Sequence, residues 1–435
     1  MDTLISNVTV VTMNERMEIL FSAYIGITDG KITSISKTAP TEQPATIIDG
    51  TGMVAMPGLV NCHTHLATSA LRGWFDELSG TQALEELLKR EAKMDSRCAK
   101  AAATLSIAEC LRFGITSVSD LYYFPEATAQ AAAEAGIKAN IALSAYRFED
   151  ENEDFDFSAD LQCRELARVA EKWHNYDNGR IRIDAGIYAE YTGNHPLWEG
   201  LAAFAQEKGL GMQLHLAQSQ PEVDSCADRT GLNPAELLDC HGLFRVPATA
   251  AGCSCLTPEE QKLLSKRKTS AVALPLEAAR AGIPGTPIAD CVKSGMNVAL
   301  GTGGAADTGN LDLFAVMRQA LLDSRRTGAP LPPQAVLMMA TECGARAQGR
   351  GDECGMLKEG MDADLVLVDF SAPHLMPCHN VMGSLVFAAS GGDVAMTMVR
   401  GNILYRSGQF PTLDLRACVE ELTRYAIPTL LAQEA

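Results

Sequence analysis

Between residues 57 and 350, strand-length apolar runs alternate with helix-patterned runs, and this alternation limits the possible fold more than any other feature of the 435-residue chain. Residues 97–112 carry a helical pattern that ends at Phe113-Gly114, and 115–120 read as a strand. An Ala-rich helix over 127–135 is stopped by Gly136, and a strand follows over 138–144. The pattern repeats with a helix over 161–175, a strand over 181–187, a helix over 201–208 and a strand over 211–216. A helix over 258–265 and a strand over 298–301 continue it. Regular strand–helix alternation over ~290 residues predicts a parallel sheet closed into a (β/α)8 barrel. An open doubly wound sheet is the alternative. It lacks its phosphate loop, because Gly301-Thr302-Gly303-Gly304 does not have the GxGxxG spacing.

The two ends of the chain read differently. Short strands are expected over 3–11, 23–28, 31–36 and 45–49, with Asp29-Gly30 as a hairpin turn. Near the other end, strands are expected over 365–369, 395–399 and 403–405, with Gly401-Asn402 as a turn. β-rich ends around a long α/β middle predict that the termini pair into one small β-sandwich. The expected division is 1–56 plus 352–420 for the sandwich, 57–351 for the barrel and 421–435 for a C-terminal helix or tail.

A net charge of −18 argues against nucleic acid or an anionic membrane as partner, since both need clustered Lys and Arg. No apolar run approaches the ~18 residues of a membrane span. Met1-Asp2-Thr3-Leu4 has neither the basic region nor the apolar core of a signal peptide. Thirteen cysteines without an export signal point to reduced thiols and a cytoplasmic location.

The segment Pro57-Gly58-Leu59-Val60-Asn61-Cys62-His63-Thr64-His65-Leu66 places two imidazoles two residues apart at the end of an apolar run. Residues two apart on a strand share a face, so both rings can reach one metal ion. A third imidazole, His215, ends the apolar run over 211–216 in the string Leu214-His215-Leu216-Ala217-Gln218-Ser219.

On these strings the chain resembles the amidohydrolase superfamily, in its branch of aminohydrolases and chlorohydrolases. That branch includes S-adenosylhomocysteine, methylthioadenosine and guanine deaminases and s-triazine hydrolases. The C-terminal run Lys358-Glu359-Gly360-Met361-Asp362-Ala363-Asp364-Leu365-Val366-Leu367-Val368-Asp369 is similar to a recurrent marker of the same family. The resemblance implies a barrel with a small β-sandwich. It also implies His63, His65 and His215 as ligands of one divalent metal, zinc or iron.

Several chemical positions of the family are substituted. The proton-shuttling Glu after the third His is Gln218, which cannot act as a general base. The string Ala250-Ala251-Gly252-Cys253-Ser254-Cys255-Leu256-Thr257 has Gly252 where the family carries a His. In Leu300-Gly301-Thr302-Gly303-Gly304, Gly303 stands at the Asp that binds metal. Tyr188 takes a His position in Gly186-Ile187-Tyr188-Ala189-Glu190-Tyr191-Thr192, and Leu274-Pro275-Leu276-Glu277-Ala278 replaces an Asn-Pro-x-Ser-Asn segment.

Replacement groups can be sought nearby. Cys253 and Cys255, two apart on an expected strand, are candidate thiolate ligands or small buried apolar residues. Asp307 lies four residues beyond Gly303 and reaches the site only if its loop bends back. Glu190, at the end of a barrel strand, is a candidate pocket acid. Trp74, in Leu71-Arg72-Gly73-Trp74-Phe75-Asp76-Glu77, is a candidate platform for a flat heterocycle. With Tyr188 and Gln218, these residues make the expected substrate contacts. The family's aromatic segment is altered to Ala83-Leu84-Glu85-Glu86-Leu87, so no particular base is indicated.

The expected function is therefore a divergent metal-dependent hydrolase acting on a C–N or similar bond of a small heterocycle. A barrel that binds without catalysing and an ordinary nucleoside or nucleobase deaminase are the alternatives. The resemblance further implies a homo-oligomer.

Overall fold

The computed structural model describes residues 1–78, 80–148 and 155–432. Eight barrel strands follow one another in parallel: β6 (Leu59–His65), β7 (Ile115–Tyr122), β8 (Lys138–Leu143), β9 (Ile181–Gly186), β10 (Met212–Leu216), β11 (Ala248–Gly252), β12 (Ser270–Ala273) and β13 (Asn297–Leu300). A two-residue strand, β14 (Gly303–Gly304), continues from β13 and pairs with β6, with Gly303 opposite Thr64 and Gly304 opposite His65. That pairing closes the ring. Each strand is buried along nearly its whole length, as expected where helices cover the outside of a parallel sheet and side chains fill its inside.

The ends of the chain build a second sheet of eight strands. From the N-terminal side come β1 (Thr3–Val11), β2 (Ile19–Thr28), β3 (Lys31–Ser36), β4 (Thr46–Asp49) and β5 (Met53–Pro57). From the C-terminal side come β15 (Leu365–Asp369), β16 (Val394–Val399) and β17 (Asn402–Arg406). The order is β17-β16-β15-β5-β1-β2-β3, with β4 beside β1. The termini meet where β5 runs antiparallel to β15, Pro57 opposite Leu365 and Met53 opposite Asp369.

The period-2 pattern divides the faces of this sheet. Leu365, Leu367, Met396, Met398, Ile5, Ile25 and Ile48 share one core of their own. Val366, Val368, Val394 and Met56 on the other face join the core of the barrel.

Local signals explain most element ends. Asp29 and Gly30 both have positive φ (50° and 73°) in the hairpin between β2 and β3. In the β16–β17 hairpin Val399 pairs with Asn402, so the turn is Arg400-Gly401, one residue earlier than the Gly401-Asn402 read from sequence. The helical run at the C-terminal end begins at Leu415 rather than at 421 and packs on the helix Ser96–Arg112. Residues 433–435 of the expected tail lie outside the described residues, as do the side chains of Ala83 and Leu84. Among the described residues no helix is long and apolar enough to cross a membrane.

Candidate metal centre

His63 and His65 sit at the C-terminal end of β6, and His215 near the C-terminal end of β10. In a (β/α)8 barrel this is the end that carries function. One nitrogen from each ring lies within 4.8 Å of the others, and His63 and His65 are buried and half-buried. His65 Nδ1 donates to the Leu121 carbonyl at 2.7 Å, and His215 Nδ1 donates to the Tyr188 carbonyl at 3.0 Å. These bonds fix the tautomers, leaving each Nε2 a free lone pair. The Nε2 atoms of His63 and His215 face each other at 2.9 Å. Burial lowers His215 to about 3, and burial with His215 beside it lowers His63 well below its usual value. Three imidazoles with converging nitrogens could hold one divalent metal ion.

The ends of the strands are tied together around these rings. Asp120 on β7 accepts from the Leu66 N–H at 2.7 Å and from Thr128 Oγ1 at 3.1 Å, which steadies the chain just past His65. Asn61 on β6 exchanges two hydrogen bonds with Thr302, at 2.8 and 3.0 Å, and so aligns β6 with the Gly303-Gly304 closure.

The residues read from sequence have different placements. The Tyr188 ring packs on His215 with centroids 4.4 Å apart, so Tyr188 borders the cluster. Gln218 follows β10, and its Cγ lies 2.5 Å from where a Cβ on Gly252 would project. Gly252 has φ +91°, so a His there would meet both backbone strain and the Gln218 side chain. Glu222 does not supply the missing acid. Its two carboxylate oxygens accept the Ala217 and Gln218 N–H groups, both at 2.8 Å.

Glu190 is turned away from the expected role. It is 1% exposed and paired through both oxygens with Arg229, at 3.0 and 2.8 Å. Its carboxylate is satisfied by that pair. Trp74 is 40% exposed, with the Arg90 guanidinium 4.8 Å over its ring. Cys253 and Cys255 are not on a strand, because β11 ends at Gly252 and Cys253 itself has φ 54°. They therefore share no face. The Cys253 thiol bonds back to the Ala250 carbonyl at 3.3 Å, and burial pushes it far up. Among the described residues, the metal-type cluster contains the three histidines and no cysteine.

Asp307 does reach the site, without a long loop. The single turn Ala305–Thr308 carries it back, and its Oδ2 lies 2.6 Å from where a Cβ on Gly304 would project. Three further residues belong to the same end of the barrel and were missed in the sequence. Glu277, in the first turn after β12, sends Oε2 to within 2.2 Å of the Cβ position of Gly303. Burial and the neighbouring Asp307 raise Glu277, and burial raises Asp307 against the pull of His65. Glu91 accepts from the Tyr122 hydroxyl at 2.6 Å, and burial raises it too. Glu277 was visible as the one acid in Leu274-Pro275-Leu276-Glu277-Ala278. Only tertiary packing reveals where it points.

The sequence profile of the amidohydrolase family matches residues 54–404. The chain belongs to that family. This amidohydrolase is deaminase-like in its relatives. It is 35% identical over 386 residues to the 5-methylthioadenosine/S-adenosylhomocysteine deaminase of Moorella thermoacetica, covering 88% of this chain and 89% of that protein. It is 33% identical over 429 residues to the 5′-deoxyadenosine deaminase of Methanosarcina mazei, covering 98% of each. Among solved structures, an adenosine deaminase from Xanthomonas campestris with bound zinc superposes with a TM-score of 0.91 at 26% identity, over 98% of both chains. The zinc complex of atrazine chlorohydrolase from Arthrobacter aurescens gives 0.88 at 25% identity, over 98% of this chain and 100% of that one.

Proposed function

We propose that this amidohydrolase is a metal-dependent hydrolase that releases the amino group of a nucleoside-like aminoheterocycle as ammonia. The observation that carries the reading is the convergence of three imidazoles at the functional end of the barrel. Zinc is the metal of choice, because three nitrogen ligands with an open fourth position suit it and the Xanthomonas campestris relative holds it. His63, His65 and His215 would hold the ion, which supplies a Lewis acid that brings water towards ionisation near neutral pH.

The chain's own residues do the rest. The carbonyls of Leu121 and Tyr188 keep the His65 and His215 rings aimed inward. Tyr188 forms an aromatic wall beside His215. Gln218 can hydrogen-bond a ring nitrogen or an oxygen of the heterocycle, but it cannot carry a proton between water and leaving group. Trp74 offers a stacking face at the edge of the site.

The test joins elemental analysis with ammonia release from 5′-methylthioadenosine, S-adenosylhomocysteine and 5′-deoxyadenosine. About one zinc per chain and turnover of at least one of these probes is expected. His63→Ala and His65→Ala should each lose both metal and turnover. Undiminished turnover in either variant would sink the metal-dependent reading. A second reading, a barrel that binds and does not catalyse, is favoured by the neutral Gln218 and Gly252. It predicts that the same nucleosides bind the zinc-loaded protein and no ammonia appears.

A further inference from the structure

The three-imidazole centre has no acid on the strands that carry its histidines, yet a carboxyl from another strand end packs against the barrel closure beside it. We propose that Glu277 is the acid–base group of this centre and occupies the space that a side chain at position 303 would fill. The proposal rests on the hydrolase reading above.

The placement follows from the barrel closure. Gly303 pairs with Thr64, the residue between His63 and His65. A Cβ on Gly303 would lie 2.2 Å from Glu277 Oε2, closer than any real non-bonded contact, and one on the adjoining Gly304 would lie 3.4 Å from the His65 Cβ, so the carboxyl packs against the turn that borders His65. Gly303 also has φ +69°, a left-handed conformation that disfavours any other residue. A side chain at position 303 would therefore meet a left-handed backbone and displace the Glu277 carboxyl from its place.

Glu277 Oε2 is sealed from water and has no hydrogen-bond partner among the described residues. Among the described residues, the glutamates Glu190, Glu222 and Glu260 are buried and committed: Glu190 to Arg229, Glu222 to two backbone N–H groups, and Glu260 to the Thr257 and Ala235 N–H groups. A buried carboxylate oxygen without a partner is costly, and such groups are retained where a ligand or a reaction supplies the partner. Asp307, packed beside Gly304 and so next to His65, is a second buried carboxyl at the same closure.

One group suffices for both proton transfers. Glu277 takes a proton from water as the water oxygen bonds to the amino-bearing ring carbon, and the ring C=N electron pair moves onto the ring nitrogen. Glu277 then gives that proton to the ring nitrogen. It next takes the remaining proton from the new hydroxyl and passes it to the amino nitrogen. The C–N bond breaks, C=O forms and ammonia leaves. Both protons of the water are accounted for, and Glu277 returns to its starting state.

The experiment compares Glu277→Gln with His63→Ala in zinc-loaded protein, and Gly303→Ala with and without Glu277→Ser in metal-free protein. Glu277→Gln should keep about one zinc per chain while ammonia release falls about 10²–10⁴-fold, whereas His63→Ala loses the zinc. In the metal-free protein, Gly303→Ala should lower the thermal midpoint, and adding Glu277→Ser should recover part of the loss. Turnover of Glu277→Gln within about threefold of the parent, with His63→Ala inactive, overturns this proposal and leaves the hydrolase reading standing, because loss of a general acid–base group costs far more. Strict additivity of Gly303→Ala and Glu277→Ser also overturns it. Full turnover in His63→Ala overturns the hydrolase reading instead, and this proposal with it.

Discussion

The two ends of the barrel handle buried charge in opposite ways. At the N-terminal end, Lys138 opens β8 with a fully buried side chain, 2.6 Å from Asp364 and 2.8 Å from Asp362. Burial alone would lower Lys138, but Asp364 and Asp362 hold it above its ordinary value. Arg350, also fully buried, donates to the carbonyls of Gly179, Ala139 and Arg180 and to Asn140 Oδ1. At the C-terminal end, three imidazoles face one another and Glu277 Oε2 has no partner among the described residues. Charges at one end are neutralised by the protein, while the other end leaves polar groups for something else to satisfy. Completed networks of this kind maintain a scaffold, and incomplete ones mark where ligands act.

The largest expected effect breaks the scaffold end. Lys138→Met removes the cation from between two buried carboxylates and should destabilise the protein by about 3–5 kcal/mol, read from denaturant midpoints. If that variant unfolds like the parent, the network is not what holds this end. Next comes the functional end, where His215→Ala should reduce zinc affinity by about two orders of magnitude or more while the metal-free protein keeps its midpoint. A large loss of apo stability would show that the rings are structural.

The two ends should also respond to pH with opposite sign. Lys138 holds Asp362 down at about 2, so its contribution is present above the ordinary carboxylate range and is lost as pH falls towards 2. Glu277 is raised, so the metal-free protein is favoured below the ordinary range and loses stability as pH rises through the raised value. Asp362→Asn should flatten the acid limb of a stability–pH curve, and Glu277→Gln the limb on the other side. A Glu277→Gln curve that matches the parent between about pH 4 and 8 would remove the contrast. The smallest effect is at Trp74, where Ala should change stability by under about 0.5 kcal/mol, since an exposed side chain carries little packing.

The sequence made the scaffold legible through periodicity. Alternating apolar runs marked the barrel strands, and Asp29-Gly30 marked a hairpin by the positive φ that such a turn needs. The imidazole pair was equally plain, because a spacing of two on a strand dictates a shared face. Asp364, part of the marker run before β15, gained a physical meaning only in three dimensions, as the counter-charge of Lys138. Glu190 misled because strand-end position does not say which neighbour takes a carboxylate, and Arg229 was already there. Cys253 and Cys255 misled because the strand ended sooner than its apolar run suggested. Glu277 was invisible as a site residue for the converse reason. Its role depends on an empty volume at Gly303, and one string cannot show that a loss there makes room for a gain elsewhere.

The pairing of β5 with β15 has a consequence for how the molecule is made. Met53 and Asp369 lie side by side, although the whole barrel is threaded between them. On the ribosome the first five strands emerge early and can pair among themselves, but the edge of β5 that takes β15 stays open until β15 appears. The barrel seam is delayed in the same way, because Gly303 and Gly304 reach Thr64 and His65 only after most of the chain has been synthesised. The metal ligands are therefore brought into place late in biogenesis. Ion capture should coincide with ring closure, and a nascent chain stalled before residue 304 should not yet hold the ion in a finished site.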